Sequence, residues 1–169
     1  MRVAYYGGAP GMLTSSLVWF VAAVVAVRMS ASAAVLALFV GGMLIHPVSV
    51  VLCKAFGRSA AHSKGNPFGG LAMASTGWLI LSLPLAYVVS LYRMEWFFPA
   101  MLFVIGGRYL TFAIMFGSRV FLGCGVALAA GGYVLAKFGA TAAVGALTGS
   151  AIEAVFGLFI LRASRLQRT

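Results

Sequence analysis

Basic residues divide the sequence into six apolar runs, which cover about residues 10–27, 31–52, 71–92, 96–117, 120–136 and 140–161. Each run is close to the roughly 17–25 residues that a helix needs to cross a bilayer. Inside a bilayer the backbone polar groups of a segment must be satisfied within the protein, so runs of this length predict helices. We therefore predict an all-α integral membrane protein, a single domain over residues 1–169 with six transmembrane helices in three hairpins.

The composition supports a membrane location and argues against nucleic acid as a partner. Of the 169 residues, 63% are hydrophobic and only 8% are charged, whereas soluble domains have roughly 25% charged residues. The net charge of +10 would suit nucleic acid, but nearly all of the basic residues stand at the ends of apolar runs. Such residues flank membrane spans and do not form a basic groove. We expect the lipid bilayer to be the main partner.

The basic residues also predict the orientation. With six alternating spans, three of them (Arg28, Arg93 and Lys137) fall on one side, and a larger group falls on the other: Arg2, Lys54, Arg58, Lys64, Arg119, Arg162, Arg165 and Arg168. The richer side is expected to be cytoplasmic. Both termini and the one substantial loop, residues 54–70, are then inside, and the basic residues of this loop suit contact with anionic lipid headgroups.

Three ionisable residues interrupt the apolar runs at similar depth. At about 1.5 Å per residue, Arg108 lies roughly 16 Å from the level of Arg119, and Glu153 roughly 13 Å from Arg162. His46 lies roughly 12 Å from Lys54 by the same count. We refer to His46, Arg108 and Glu153 as the polar layer, and we predict that they share one level on the second, fourth and sixth spans.

The sixth run also carries a glycine pattern. Gly145, Gly149, Glu153 and Gly157 recur every four residues, which places them on one helical stripe that should face a neighbouring helix. In the fourth run, Gly106 and Gly107 similarly leave room beside Arg108 for a close neighbour.

An unpaired arginine in the middle of a bilayer costs about 2.5–3.5 kcal/mol or more, so Arg108 needs a partner or water. Glu153 is the only carboxylate at that depth, and we predict that the two pair directly. The pair has two interpretations. It either fixes which helices dock, or it lines a path for a solute or for protons, with His46 as a third member. Water access to the layer distinguishes them.

The sequence offers little for catalysis, metal binding or cofactors. Ser150 and His46 are the best candidates for a nucleophile and a base, but nothing like a nucleophile elbow surrounds the serine. Cys53 and His62 are separated by a loop, and no clustered set of metal-ligating residues is present. We expect no cofactor and no metal, and a non-enzymatic role is favoured over an enzymatic one. The first run followed by MSASAA could also indicate a cleaved signal peptide, but Arg28 stands between the run and that site, and we expect the run to be retained.

Four sequence blocks, in this order, resemble a family of small bacterial multi-pass membrane proteins with no assigned activity: GMLIHPVSVVLCKAFG, KGNPFGGL, IGGRYLTFAIMFGSRVFLG and IEAVFGLFI. The most distinctive is Asn66-Pro67 ahead of a glycine pair, and Glu153 belongs to the pattern. Arg108 stands where that family more often has histidine. The resemblance implies a location in the bacterial cytoplasmic (inner) membrane and supplies no mechanism.

Two classes of function fit these observations. In the first, the protein is a small transporter or proton-linked carrier whose polar layer contacts an anionic solute or relays protons, with a homodimer enlarging the interface. In the second, it is a non-catalytic membrane scaffold or sensor that contains a structural charge pair. A wet layer favours the carrier and a dry, packed layer favours the scaffold.

Overall fold

A computed structural model describes residues 8–55 and 68–166, without the side chains of 52–55, 68, 165 and 166. Within these residues the chain forms six α-helices and one short 3₁₀ helix, Met94–Trp96, that precedes the fourth α-helix. The α-helices are α1 (Ala9–Arg28), α2 (Ala31–Ala55), α3 (Phe68–Tyr92), α4 (Phe97–Phe116), α5 (Arg119–Phe138) and α6 (Ala142–Leu166).

All six helices are long and apolar enough to cross a membrane, which confirms the prediction of an all-helical, six-span membrane bundle. The hairpin arrangement and the side on which the termini lie stay predictions. Most of the predicted cytoplasmic loop, and both ends of the chain, lie outside the described residues.

Two glycines end helices in the second half of the chain. Gly117 ends α4 with φ 55° and Gly139 ends α5 with φ 62°, both in the left-handed region. Glycine adopts this conformation without the steric cost that a Cβ atom imposes. The connections to α5 and α6 are consequently only a few residues long.

The core of the bundle is formed mainly by α1, α4, α5 and α6, with Ala34, Val35 and Leu38 of α2 and Ala86 of α3 also buried in it. The most extensive contacts are between α1 and α6, between α4 and α5, and between α1 and α2, whereas α3 packs mainly against α4. The largest fully buried side chains all come from the four core helices: Trp19, Phe97, Phe98, Leu102, Phe121, Leu128, Glu153 and Cys124. A charged residue type therefore lies among the most buried side chains of an otherwise apolar core.

Candidate functional site

The predicted glycine stripe of α6 lies against two neighbouring helices. A Cβ atom on Gly149 would lie 2.8 Å from the Trp19 ring of α1, and one on Gly145 would lie 2.7 Å from Phe98 of α4. A Cβ atom on Gly157 would come within 2.9 Å of Leu13 of α1. Real Cβ atoms do not approach other atoms this closely, so the backbones can meet as they do only because these positions lack side chains.

Glu153 lies on the same stripe and is completely buried. The Tyr109 hydroxyl of α4 donates a hydrogen bond of 2.9 Å to its Oε1 atom, and the Ser15 side chain of α1 also interacts with the carboxyl group. Oε2 has no hydrogen-bond partner among the described residues. We call Ser15, Tyr109 and Glu153 the carboxyl cluster; it joins α1, α4 and α6 at one point.

Aromatic rings fix the tyrosine of the carboxyl cluster. The Tyr109 ring stacks on Phe121 of α5, with 6.0 Å between the ring centroids, and meets Phe112 edge to face at 5.7 Å. Edge-to-face and offset arrangements of this kind are the favourable ones for aromatic pairs. The hydroxyl is therefore held towards α6 by packing on two sides.

A second polar contact joins α1 and α6 one turn away from Glu153. The Ser16 hydroxyl donates a hydrogen bond of 2.9 Å to the backbone carbonyl of Ser150, and the two hydroxyl oxygens are 3.4 Å apart. Both side chains are buried. Ser150, considered above as a nucleophile, thus contacts Ser16 and is buried, whereas His46, the base considered with it, is exposed.

The direct ion pair predicted between Arg108 and Glu153 is wrong. Among the described residues the one ion pair joins Arg93 and Glu95, at 3.1 Å, near the end of α3. The reason is helical geometry: consecutive residues on a helix point about 100° apart, and Tyr109 already occupies the direction towards Glu153. Arg108 and Glu153 remain within range of a weaker electrostatic interaction.

Arg108 instead lies over the ring of Phe112, one turn along α4, with its guanidinium carbon 5.2 Å from the ring centroid. Its side chain is partly exposed. The Nε atom is buried and has no hydrogen-bond partner among the described residues. The cation–π contact satisfies one face of the guanidinium and leaves its N–H donors available.

His46 does not join Glu153 in the interior. His46 is exposed on α2. Gly42, one turn earlier on the same helix, has no atom near the position that a Cβ atom would occupy. The polar layer is thus spread over three environments: Glu153 enclosed, Arg108 at the margin of the core, and His46 on the outer surface.

The two glycines predicted beside Arg108 also differ. A Cβ atom on Gly106 would lie 2.8 Å from the backbone oxygen of Gly125, where α4 and α5 approach closely, whereas Gly107 faces open space. Of the two glycines, only Gly106 therefore permits the close approach of α4 to α5.

Sequence reasoning did not identify Tyr109, Ser15 or Ser16 as members of the site. A signal was available for the serines, since the segment Thr14-Ser15-Ser16 interrupts the first apolar run and is buried throughout. Buried hydroxyl groups in membrane helices point towards other helices. Tyr109 gave a weaker signal, because a tyrosine in an apolar run is unremarkable by itself.

The described residues contain no group of three or more His, Cys, Asp or Glu side chains that could hold a metal ion. Cys124 is free and buried on α5. The side chain of Cys53 and the whole of His62 lie outside the described residues.

Comparison with known proteins identifies a family for this chain. No curated protein and no solved structure matches the chain significantly. A family model described as a family of unknown function, DUF7010, matches residues 1–163. This match agrees with the resemblance noted from the sequence to membrane proteins without an assigned activity. Since the match covers nearly the whole chain, the protein belongs to the DUF7010 family.

Proposed function

We propose that the protein is a small membrane carrier of anionic solutes and that Arg108 is the group that contacts the solute. The observation that carries the proposal is the Arg108 guanidinium itself. It lies well inside a membrane-spanning helix, is partly exposed, and has neither an ion pair nor a hydrogen bond with the described residues. An arginine at this depth is costly unless something anionic or aqueous meets it.

The chemistry of the guanidinium defines the solute class. Its planar set of N–H donors matches carboxylate and phosphate oxygens, often through two parallel hydrogen bonds. Phe112 covers one face of the group, so an anion would approach along the edge that carries the donors. Small carboxylates, phosphate and sulfate are the candidates.

In this proposal Glu153 positions Arg108 and does not itself contact the solute. The carboxyl cluster is closed, because Glu153 is fully buried and bound by Tyr109. Tyr109 directly follows Arg108 on α4. Because consecutive residues of a helix point in directions a fixed angle apart, holding the Tyr109 side chain also fixes the direction in which Arg108 leaves the helix. The two interpretations considered from the sequence are thereby assigned to different residues: Glu153 fixes which helices dock, and Arg108 lines the path for a solute.

Thiol labelling tests water access beside Arg108 without removing it. In a variant lacking Cys53 and Cys124, Thr111→Cys places a thiol about one turn from Arg108 at a partly exposed position. Leu102→Cys, at a fully buried position of the same helix, is the matched control. A small, charged, membrane-impermeant reagent should label position 111 and not position 102.

Anion protection then tests the role of Arg108. Phosphate, sulfate or a small carboxylate should slow labelling at position 111, and Arg108→Gln should abolish that protection. A hydrogen bond to a charged group contributes about 1.5–3 kcal/mol, so the substitution should weaken anion binding by roughly 10- to 100-fold. Arg108→Lys, which keeps the charge, should retain part of the anion binding. Absence of labelling at position 111, or protection that is unchanged in Arg108→Gln, would contradict the proposal.

Flux measurements separate a carrier from a binding protein. In proteoliposomes loaded with the anion that protects best, the native chain should release it and Arg108→Gln should not. Binding without flux would favour the second candidate function, a non-catalytic scaffold or sensor. The enclosed carboxyl cluster supports that candidate, and Arg108 would then meet a carboxylate of a partner protein.

We also propose that the carrier is a homodimer that associates through α2. The support is His46, an imidazole exposed within the membrane-spanning segment Ala31–Val51, together with the empty position beside Gly42. A polar side chain in this setting requires a polar partner, and a twofold axis beside α2 brings the same residues of two copies together. In the variant lacking Cys53 and Cys124, Gly42→Cys should form an intermolecular disulfide. The exposed Leu81→Cys of α3 should not.

A location in the bacterial inner membrane, with both termini cytoplasmic, completes the proposal. The distribution of basic residues along the sequence supports the cytoplasmic termini, and the inner membrane is what the family resemblance implies. Accessibility of tags placed at the two ends, in intact and in permeabilised cells, tests it.

A further inference from the structure

We propose that the groove between α5 and α6 binds an anionic phospholipid, with one acyl chain in the groove and the headgroup phosphate at Arg119. The groove has a volume of about 400 Å³ and is lined by Arg119, Val120, Gly123, Val155, Phe156 and Phe159. Five of these residues are apolar and one is a cation. This site is separate from Arg108, so the inference does not depend on the proposed carrier function.

The groove exists because a glycine faces an aromatic ring across the two helices. A Cβ atom on Gly123 would lie 3.3 Å from the Phe156 ring, so a larger residue would fill the space beside that ring. Val155 and Phe159, on the outer side of α6, are exposed at 65% and 59%. The groove is therefore open towards the hydrocarbon region, where an acyl chain lies.

The helix register places a second cation at the same end. Gly131 of α5 faces Thr148 and Ile152 of α6, and Gly123 faces Phe156. Continuing this antiparallel register brings Arg119 level with Arg162, which lies one turn beyond Phe159 and is also exposed. Two guanidinium groups thus stand where the apolar groove meets the boundary of the span.

Charge complementarity selects an anionic phospholipid as the occupant. The guanidinium group of arginine binds phosphate oxygens well, and α5 begins at Arg119, so the positive end of its helix dipole lies at the same place. The apolar side chains that line the groove cannot form hydrogen bonds with a polar solute. A molecule with a phosphate at one end and a long hydrocarbon chain at the other fits both parts of the groove.

The probes are phosphatidylglycerol and phosphatidylcholine with identical acyl chains, each equilibrated with the purified full chain in detergent micelles. Mass spectrometry of the intact complex measures the lipid retained. We expect preferential retention of phosphatidylglycerol, and Arg119→Gln should lower its affinity about fivefold. Lys137→Gln, which removes an exposed cation at the opposite end of α5, is the matched control and should have little effect.

A second pair of variants tests the acyl chain. Val155→Trp should fill the groove and lower retention at least threefold without changing a charge. Val144→Trp, at an exposed position on the same face of α6 near its other end, should not. Glycerol phosphate, which has the headgroup without the chain, should compete poorly.

Four results would overturn the proposal. The first is equal retention of the two lipids, and the second is equal loss in Arg119→Gln and Lys137→Gln. The third is a loss in Arg119→Gln with no effect of Val155→Trp, and the fourth is full competition by glycerol phosphate. Either of the last two would indicate a surface phosphate site with no lipid in the groove. Because none of these measurements involves Arg108 or flux, failure here leaves the carrier proposal standing and the reverse also holds.

Discussion

The interface between α1 and α6 and the outer surface of α2 and α3 are built from similar apolar sequences but are packed very differently. In α1, 44% of an 18-residue apolar stretch is buried, against 17% of the corresponding stretch in each of α2 and α3. The α1–α6 interface has glycines in contact with Trp19 and Leu13, and two buried polar connections. On the outer surfaces of α2 and α3, a Cβ atom on Gly42 or Gly77 would meet nothing, whereas on the inner side of α2 one on Gly41 would lie 2.5 Å from Val18 of α1.

The difference shows that hydrophobicity alone does not decide which membrane helix is central. Lipid is as apolar as leucine, so helices associate in a bilayer through close packing and hydrogen bonds. Both occur where α6 meets α1 and α4, which makes this junction the part of the bundle that holds the fold. The outer surfaces of α2 and α3 are left to contact lipid or another protein.

The largest effect is expected from filling the α1–α6 contact. Gly149→Leu would drive a side chain into the Trp19 ring, which a Cβ atom alone would meet at 2.8 Å. Overpacking of this kind costs typically 1–3 kcal/mol and occasionally more, and we expect about 3 kcal/mol. The free energy of unfolding, measured by titrating detergent-solubilised protein with sodium dodecyl sulfate, checks the value.

Gly107→Leu is the matched control for Gly149→Leu. It makes the same substitution in a core helix at a position with open space, and its effect should stay within about 0.5 kcal/mol, as for surface substitutions. Equal effects of the two variants would mean that the α1–α6 contact has no special role.

The carboxyl cluster should give the next largest effect. Tyr109→Phe removes the donor to Glu153 Oε1 and leaves a buried acceptor without that partner, which costs about 1–3 kcal/mol. Tyr133→Phe, at an exposed tyrosine of α5, should be neutral. In a double-mutant cycle with Glu153→Leu, which removes the acceptor, the coupling energy should be about 0.6–1.7 kcal/mol, between the mean and the maximum found for hydrogen bonds between membrane helices. Additive effects would show that the two side chains stabilise the fold independently.

Much of the architecture was predictable because one physical rule determines it. Apolar runs between basic residues correspond to the six helices, since a chain inside a bilayer has no alternative to satisfying its backbone within each segment. The four-residue spacing of Gly145, Gly149, Glu153 and Gly157 likewise indicated a shared face, because that spacing is a property of any α-helix.

The partner of Glu153 was not predictable in the same way. Pairing Arg108 with Glu153 used depth and charge, but depth does not specify the direction of a side chain around its helix. One residue later on α4, Tyr109 faces Glu153, and a rotation of about 100° decides between them. That rotation depends on how α4 packs on α5 through Gly106 and Gly125, a contact between helices that no single run reveals.

A smaller effect is expected from the second polar connection of the α1–α6 interface. Ser16→Ala removes the hydrogen bond to the Ser150 carbonyl, which should cost about 0.6 kcal/mol, the mean for interhelical bonds. Ser82→Ala, at a buried serine of α3 that donates to Trp78 within its own helix, should cost less. The same unfolding titration compares them, and a larger loss in Ser82→Ala would indicate that α3 contributes more to stability than its packing suggests.

The smallest effect on the isolated chain should come from His46. His46→Leu exchanges an exposed imidazole for an apolar side chain on the outer surface of α2, so the free energy of unfolding should change by no more than about 0.5 kcal/mol. Glu153→Leu, a similar exchange in the packed region, should cost about 1–3 kcal/mol because Tyr109 loses its acceptor. Dimerisation gives the opposite order: if α2 joins two copies, His46→Leu should reduce disulfide formation by Gly42→Cys, since the twofold contact loses its polar pair. A strong loss of stability in His46→Leu, measured on the monomer, would instead place α2 among the helices that hold the fold and remove the distinction between the packed interface and the outer surface.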